Sequence, residues 1–266
     1  MKPFTLARNL IYSIGFKMDK TFNSVSVLCY HSISNDNWQY SISKEMFCDQ
    51  IKSLQKTHTF ICSSTISEII TGKYKSNNKP LVAIHFDDGY QDILEIKDFI
   101  KSLGIRPTLF VLSNPENSDE QQLGTNLQKL SDEEIKSLLQ DGWELGSHGA
   151  THGNFWKMSR QQLGEEIIGS KEKLQNKFGC EVKYFSFPRG RYNLDALEAV
   201  KKAGYKLAFT MDDDFIDVKT DPYTIPRIGV DNTHTPEQFE QTISKSAVII
   251  RKFIKNFAGG LFRRFI

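Results

Sequence analysis

A short apolar stretch that runs directly into two carboxylates constrains this chain most. Residues 81–86 (Leu-Val-Ala-Ile-His-Phe) follow Pro80 and are mostly apolar, which predicts a buried strand. Asp87, Asp88 and Gly89 come next, so the strand delivers two acids to its C-terminal end. Because successive side chains of an extended chain point to opposite sides, the two acids can serve as base and metal ligand. Asp-Asp-Gly is also a common turn sequence, so this stretch alone does not establish a site.

Two histidines four positions apart supply a second motif. Residues 146–152 read Gly-Ser-His-Gly-Ala-Thr-His and follow a predicted strand at residues 143–146. If the segment makes a helical turn or a tight loop, the imidazoles of His148 and His152 can share one ion. One carboxylate and two histidines form an open metal site, which keeps coordination positions for water and substrate.

Strand-like and helix-like segments alternate along most of the chain. Ser43 and a capping-box pattern at Ser131 predict two helix starts, and helices are also expected after Gly89 and over residues 159–178. The unusual residues of this alternating pattern collect at the C-terminal ends of the strands. This layout is typical of an α/β fold, a (β/α) barrel with its active face at the strand C-termini. A length of 266 residues suits one such domain. An open doubly wound sheet uses the same units and stays an alternative, although the chain lacks a Gly-x-Gly-x-x-Gly turn for a dinucleotide.

The composition excludes several classes of protein. A hydrophobic content of 39% and a charged content of 25% are typical of globular domains, and a formal charge of +2 is too small to indicate nucleic-acid binding. The cysteines have no C-x-x-C spacing, so neither a zinc ribbon nor a disulfide framework is predicted. Reduced thiols are expected at Cys29, Cys48, Cys62 and Cys180.

Basic and apolar residues collect at both ends of the chain. Residues 1–22 form a basic extension, and residues 241–266 form a basic amphipathic tail without a single acid. Each could lie on an anionic membrane or pack on the domain at residues 23–240. Because the N-terminal apolar run is far shorter than the ~20 residues of a membrane span and has no cleavage site, we predict a cytoplasmic protein. Peripheral contact of the termini with the inner membrane stays an alternative to their packing on the domain.

A third strand also ends at a titratable side chain. Residues 25–30 predict a strand that is followed by His31. A lone histidine at a strand end is more often structural than functional, but this one has the same placement as the two acids. His31 is therefore kept as a candidate.

Together, His85-Phe86-Asp87-Asp88-Gly89 and the His148-x-x-x-His152 segment resemble the motifs of the polysaccharide deacetylase (NodB-homology) family. The resemblance covers residues 25–231. It implies a distorted (β/α)₇ barrel that uses a divalent metal to remove acetyl groups, usually N-acetyl groups, from glycans. By that resemblance Asp87 is the catalytic base, and the metal ligands are Asp88, His148 and His152.

The third and fourth motifs of that family are altered here. Its Arg-x-Pro-aromatic-Gly motif falls on residues 186–190 (Ser-Phe-Pro-Arg-Gly), so Ser186 replaces the arginine that usually steadies the base. Arg189 or Arg191 is a candidate replacement. The Asp-x-x-Asp-Trp motif falls weakly on residues 211–215. The resemblance suggests substrate-binding roles for Pro188, Arg189, Gly190, Tyr192 and Asp214, and Tyr192 and Trp156 are expected to stack on sugar rings.

The general acid of the family has no match at its usual place. Tyr30-His31 is similar to the Tyr-His of the branch that acts on poly-N-acetylglucosamine exopolysaccharides, where the histidine can fill this role. His31 is therefore the candidate acid, and His234 is the alternative.

These residues lead to one functional prediction with stated alternatives. An amide carbonyl is a poor electrophile, so its hydrolysis needs a Lewis acid. Mixed nitrogen and oxygen ligands favour Zn²⁺, although Co²⁺, Ni²⁺ or Fe²⁺ would also fit. We predict a metal-dependent hydrolase that removes acetyl groups from an N-acetylated carbohydrate of a bacterial glycan or a lipid-linked glycan precursor. The alternatives are a non-catalytic glycan-binding relative and a deacetylase of an O-acetyl ester or a non-sugar amide.

Overall fold

The structure, a computed structural model, describes residues 24–75, 79–118, 123–234, 236–244 and 246–251. The predicted N-terminal extension and the end of the predicted C-terminal tail lie outside these ranges. Among the residues that are described, no helix has both the length and the apolar character that a membrane crossing requires.

Most of the strands belong to one parallel sheet. In chain order the strands are β1 (Val25–Tyr30), β2 (Ser32–Ile33), β3 (Ser41–Ile42), β4 (Thr59–Ile61), β5 (Leu81–Phe86), β6 (Thr108–Val111), β7 (Glu144–Ser147), β8 (Tyr184–Ser186), β9 (Leu207–Phe209) and β10 (Ile228–Gly229). The main path of the sheet runs β10-β1-β5-β6-β7-β8-β9, with β4 paired to the start of β5. Strands β2 and β3 pair separately.

Helices connect most of these strands, as the alternation of patterns predicts. They are α1 (Lys44–Thr57), α2 (Ser63–Ile70), α3 (Lys97–Ser102), α4 (Asp132–Gln140), α5 (Arg160–Leu163), α6 (Ser170–Phe178), α7 (Leu194–Lys202) and α8 (Pro236–Thr242). A π-helical segment, Gly164–Gly169, joins α5 to α6. The predicted start signals are confirmed, since Ser43 caps α1 and Ser131 forms a capping box with Glu134 on α4.

A short segment of the chain joins the two edges of the sheet. Ile225 pairs with Phe209 at the end of β9. Three residues later, Ile228 pairs with Leu28 of β1. The sheet therefore curls round on itself, and the predicted (β/α)₇ barrel, with seven strands along its main path, is confirmed.

Side chains of the strands alternate between the inside of the barrel and the helix layer. Leu81 and Ala83 of β5 belong to a cluster that receives residues from β1, β4, β6, β8 and β9, which lies inside the barrel. Val82 and Ile84 belong to the larger cluster between strands and helices. Because the strand period is two, Asp87 continues the inward series.

The chain packs on the barrel beyond the predicted boundary at residue 240. Phe239, Ile243 and Val248 are buried in the main core cluster. Arg251 forms an ion pair with Asp213 at 3.1 Å. The first part of the predicted tail therefore lies on the protein. Membrane contact by the remainder stays a prediction, because it falls on residues outside the described ranges.

We predict that Gly146 cannot be replaced by alanine without loss of stability. A Cβ atom at this position in β7 would overlap the ring of Phe110 on β6. Such overpacking costs about 1–3 kcal/mol, so Gly146→Ala should lower the urea midpoint of unfolding. The control is Gly164→Ala, because position 164 is helical and has nothing within 4 Å of an added Cβ. That change should be neutral or stabilising by up to about 1 kcal/mol, and equal midpoints for the two variants would contradict this account.

Candidate active site and metal centre

The C-terminal ends of three parallel strands bring the predicted residues together. His31 follows β1, Asp87 and Asp88 follow β5, and His148 follows the last residue of β7. Parallel strands end at the same face of a barrel, so these side chains share one mouth. The metal-ligand candidates Asp88, His148 and His152 each place a ligand atom within 4.8 Å of the others.

Two imidazoles converge on one carboxylate oxygen. The Nε2 atoms of His148 and His152 lie 3.5 and 3.6 Å from Oδ1 of Asp88. These distances are too long for good hydrogen bonds, and among the described residues this buried oxygen has no hydrogen-bond partner. Donors about 2.0–2.2 Å from a shared tetrahedral ion lie about 3.5 Å from one another. The three residues therefore fit a divalent cation.

The protonation of both histidines suits this arrangement. Nδ1 of His148 lies 2.8 Å from the backbone carbonyl of Ser186. Since a carbonyl only accepts, Nδ1 carries a proton and Nε2 is the ring nitrogen that faces Asp88. Burial lowers the pKa of His152 to about 4, so the ring of His152 is neutral at physiological pH. Neutral imidazole is the form that binds a metal.

The backbone around the site adopts an uncommon conformation. Three residues of the site have positive φ angles, which residues other than glycine rarely adopt: Asp88 (68°), His152 (63°) and Arg189 (56°). Such residues cluster at functional sites, where surrounding contacts hold them in place. At Asp88 this conformation ends the strand, so its carboxylate lies beside the two histidines.

A buried arginine holds the predicted base. Nη1 and Nη2 of Arg227 donate to the two carboxylate oxygens of Asp87 at 2.8 and 2.7 Å. Nη2 also donates to the hydroxyl of Ser186 at 2.7 Å, and that hydroxyl donates to Asp87 at 3.2 Å. Burial by itself raises the pKa of Asp87, but the charge and hydrogen bonds of Arg227, together with His148 and His31, outweigh it and hold that pKa well below its usual value. Asp87 is therefore a carboxylate at physiological pH.

Sequence reasoning missed Arg227 and considered Arg189 and Arg191 instead. Arg227 precedes β10, in the segment that joins the edges of the barrel, and it is only 1% exposed. A signal for it exists in the sequence. Residues 223–230 are mostly apolar apart from this arginine, and a charged side chain in a buried strand needs an opposite charge nearby.

His31 lies at the same mouth. A ring nitrogen of His31 is within 4.8 Å of a carboxylate oxygen of Asp87 and of the sulfur of Cys29. The rings of Tyr40 and Trp38 lie against it, with centroids 5.0 and 5.9 Å from its own. Burial lowers the pKa of His31. Burial also raises the pKa of the Cys29 thiol, which therefore remains protonated.

The alternative acid occupies a different environment. Nδ1 of His234 lies 3.1 Å from the carboxylate of Asp231 and 3.2 Å from the backbone carbonyl of the same residue. The described contacts of His234 do not include the metal-ligand candidates. Its carboxylate partner, Asp231, lies three residues earlier in the same loop.

Two of the substrate-binding candidates line an open cleft, and two others lie on the turn before it. Gly190 and Tyr192 line a cleft of about 890 Å³ together with Trp156, Arg191, Asn193, Leu194, Asp195 and Asp212. Arg189 is exposed on the turn before it, and its charge lowers the pKa of His152 after the larger effects of burial, Asp88 and His148. Pro188 is buried under that turn. Asp214 accepts a hydrogen bond from the backbone N–H of Phe215 at 2.9 Å. The cleft is lined by Asp212 and not by Asp214.

We predict that removal of the Arg227 guanidinium lowers the free energy of unfolding strongly. Arg227→Met leaves the carboxylate of Asp87 buried without its partner, which should cost about 3–5 kcal/mol in free energy of unfolding. The control is Arg160→Met, since Arg160 pairs with Asp195 at 2.8 Å but its side chain is 78% exposed. Loss of that surface pair should cost less than about 1 kcal/mol. Urea unfolding measures both, and similar losses would contradict the assigned importance of the buried pair.

The Asp87–Arg227 ion pair also predicts how the stability difference between wild type and Arg227→Met depends on pH. Because the pKa of Asp87 is lower in the folded protein than the usual ~3.9, its contribution to stability is complete above that value. It is lost as the pH falls through the folded-state pKa. The difference in stability between wild type and Arg227→Met should therefore be largest near neutral pH and shrink in strong acid.

Comparisons with known proteins agree with the geometry. The polysaccharide deacetylase family model matches residues 74–208, just over half of the chain. A poly-beta-1,6-N-acetyl-D-glucosamine N-deacetylase of Staphylococcus aureus is 27% identical over 251 residues, covering 84% of this chain and 83% of that protein.

Solved structures show the same fold. The deacetylase PplD of Streptococcus pyogenes superposes with a TM-score of 0.72 at 20% identity, covering 83% of this chain and 98% of that one. IcaB of Ammonifex degensii gives a TM-score of 0.71 at 21% identity, covering 86% and 98%. With the family model spanning the strand that ends at Asp87 and Asp88 and the loop with His148 and His152, the chain belongs to the polysaccharide deacetylase family.

Proposed function

We propose that this protein is a metal-dependent hydrolase that removes N-acetyl groups from a sugar of a bacterial glycan or a lipid-linked glycan precursor. One observation carries the proposal. The cation-binding group of Asp88, His148 and His152 lies beside a carboxylate that Arg227 keeps ionised, at the mouth of a deacetylase-family barrel. The name of the Staphylococcus aureus relative supports an N-acetylated sugar as the substrate.

The ligand group favours Zn²⁺ as the metal. Two imidazoles and one carboxylate are the donors that Zn²⁺ binds at catalytic sites, although Co²⁺, Ni²⁺ and Fe²⁺ suit the same donors. A divalent cation bound there supplies a Lewis acid that polarises the amide carbonyl and makes water more acidic.

Asp87 acts as the general base. Its carboxylate lies 3.8 Å from Nε2 of His148, so it faces the same space as the ligand group. It takes a proton from the water whose oxygen forms the new bond to the carbonyl carbon of the acetamide. The bidentate contact with Arg227 orients the carboxylate for this transfer and keeps it charged.

His31 acts as the general acid. When the bond between the carbonyl carbon and nitrogen breaks, its imidazolium gives a proton to the leaving amine, and the products are acetate and the free amino sugar. The low pKa that burial imposes on His31 makes its protonated form a stronger donor. Tyr40 and Trp38 hold the ring in place through their contacts with it.

The open cleft is the proposed path of the glycan. Trp156 is 58% exposed there, and Tyr192 stacks on Phe187 with a ring separation of 4.8 Å. Aromatic rings with one apolar face toward solvent suit the C–H faces of sugars. An open cleft of this volume can admit a glycan. The substrate-binding roles of Pro188, Arg189, Gly190, Tyr192 and Asp214 stay predictions.

The non-catalytic alternative loses one of the two observations that motivate it. These are the arginine missing from the third motif and the weak fourth motif, and Arg227 supplies a guanidinium to Asp87 from the segment before β10. The cytoplasmic location and the membrane contact of the basic termini remain proposals from the sequence.

Acetate release tests the proposed reaction. We expect zinc-loaded protein to release acetate from N-acetylglucosamine oligomers or lipid-linked N-acetyl sugars. Asp87→Asn should lose about 10²–10⁴-fold in rate while it still binds zinc, because it removes the base and no ligand. Asp88→Asn should lose both zinc and turnover, and the exposed control Asp49→Asn should change neither. If no N-acetyl or O-acetyl substrate is hydrolysed with metal bound, the proposal is wrong.

A pair of substrates tests the acid. A variant without the donor, His31→Gln, should lose about 10²–10⁴-fold in rate on an N-acetyl sugar, whose amine leaves only with a proton. It should lose much less on nitrophenyl acetate, whose leaving phenolate needs none. His234→Gln is the control and should behave as wild type on both. The opposite ranking of the two histidine variants would transfer the role to His234.

A further inference from the structure

The loop between the two metal-ligand histidines is held by one carboxylate from a neighbouring helix. Oε2 of Glu166 accepts hydrogen bonds from the backbone N–H groups of Ala150 and Thr151 at 2.7 and 3.0 Å. Its other oxygen accepts from the hydroxyl of Thr151 at 2.5 Å. Both carboxylate oxygens of Glu166 therefore accept hydrogen bonds from the loop that lies between His148 and His152.

Three more backbone groups of this loop are also hydrogen-bonded. The N–H of Gly149 donates to the hydroxyl of Ser147 at 3.2 Å. The carbonyls of Gly149 and Ala150 accept from the backbone N–H groups of Ser113 and Asn114 at 3.1 and 2.9 Å. The loop thus has backbone contacts on one side and the carboxylate on the other, which gives His152 a defined position despite its left-handed backbone.

The helix presents this carboxylate on its inward face. Glu166 is 6% exposed and lies in the π-helical segment with Ile167, which is fully buried. Glu165, one residue earlier, is exposed. Gly149 makes the approach possible, because its φ is 86° and a Cβ there would lie 2.9 Å from Oε2 of Glu166. An acid among the buried positions of an amphipathic helix is the sequence signal for this contact.

We propose that Glu166 is a positioning residue that sets the affinity for the divalent cation by holding His148 and His152 ready to bind it. This inference rests on the proposed metal site. If the loop is ordered before the ion binds, the free energy of binding is not reduced by a cost of ordering the loop. Without the carboxylate, two backbone N–H groups lose their acceptor, and the free-energy cost of ordering the loop lowers the affinity for the metal.

The test is a zinc titration against a chromogenic chelator. Glu166→Gln has nearly the same shape, but its neutral amide oxygen accepts from the N–H groups of Ala150 and Thr151 more weakly than a carboxylate oxygen does. We expect its zinc affinity to fall about 10–100-fold. Glu165→Gln makes the same change of charge on the neighbouring exposed position and should bind zinc as wild type does. Far-UV circular dichroism and melting temperature establish that each variant is folded.

A second variant addresses the case in which Glu166→Gln does not fold. Thr151→Val removes only the side-chain hydrogen bond to Glu166, so its zinc affinity should fall about 5-fold in a folded protein. Co²⁺ at saturation adds a readout of ligand geometry, since its absorption spectrum should change in Glu166→Gln and stay unchanged in Glu165→Gln.

The outcomes separate this inference from the proposed function. If wild type binds no zinc, or binds it equally well after His152→Ala, the metal site itself is wrong. If zinc binding depends on His152 but is the same in wild type, Glu166→Gln and Thr151→Val, only the role of Glu166 is wrong. An equal loss in Glu165→Gln would also overturn it, because the effect would then come from charge alone.

Discussion

The ion pair between Asp87 and Arg227 is the contact on which the centre of this barrel depends. Both groups are nearly inaccessible to water, so each charge is tolerable only because the other lies within hydrogen-bond distance. The pair also decides the chemistry, since a neutral acid at position 87 would have no capacity to take a proton. Ser186 completes the arrangement with one hydroxyl, which accepts from Arg227 and donates to Asp87.

Local patterns predicted the elements of the fold well. Short apolar runs located β1 and β5, and serine caps located the starts of α1 and α4. Patterns failed where the backbone departs from regular geometry. The helix expected after Gly89 begins as a 3₁₀ turn at Gln91–Ile96, and the long helix expected after Ser159 contains a π-helical segment. These departures depend on tertiary contacts that no short window contains.

The sequence predicted those site residues that lie close together in short motifs. Asp87 and Asp88, like His148 and His152, are close in sequence, and strands carry them to one mouth. Arg227 and Glu166 are different, because each acts on a partner in another segment. Whether an inward arginine contacts a particular carboxylate 140 positions away depends on how the sheet closes, which a sequence pattern does not contain.

The segment at residues 225–229 has a consequence for the order of events during synthesis. It pairs with β1 on one side and with β9 on the other, and it carries Arg227. A ribosome therefore releases the strand that ends at Asp87 long before the guanidinium that neutralises it. Until then the buried acid has no cation from this segment, and the nascent chain gains from keeping that strand end hydrated. Closure of the barrel and pairing of the Asp87 carboxylate with Arg227 are thus completed in one late step.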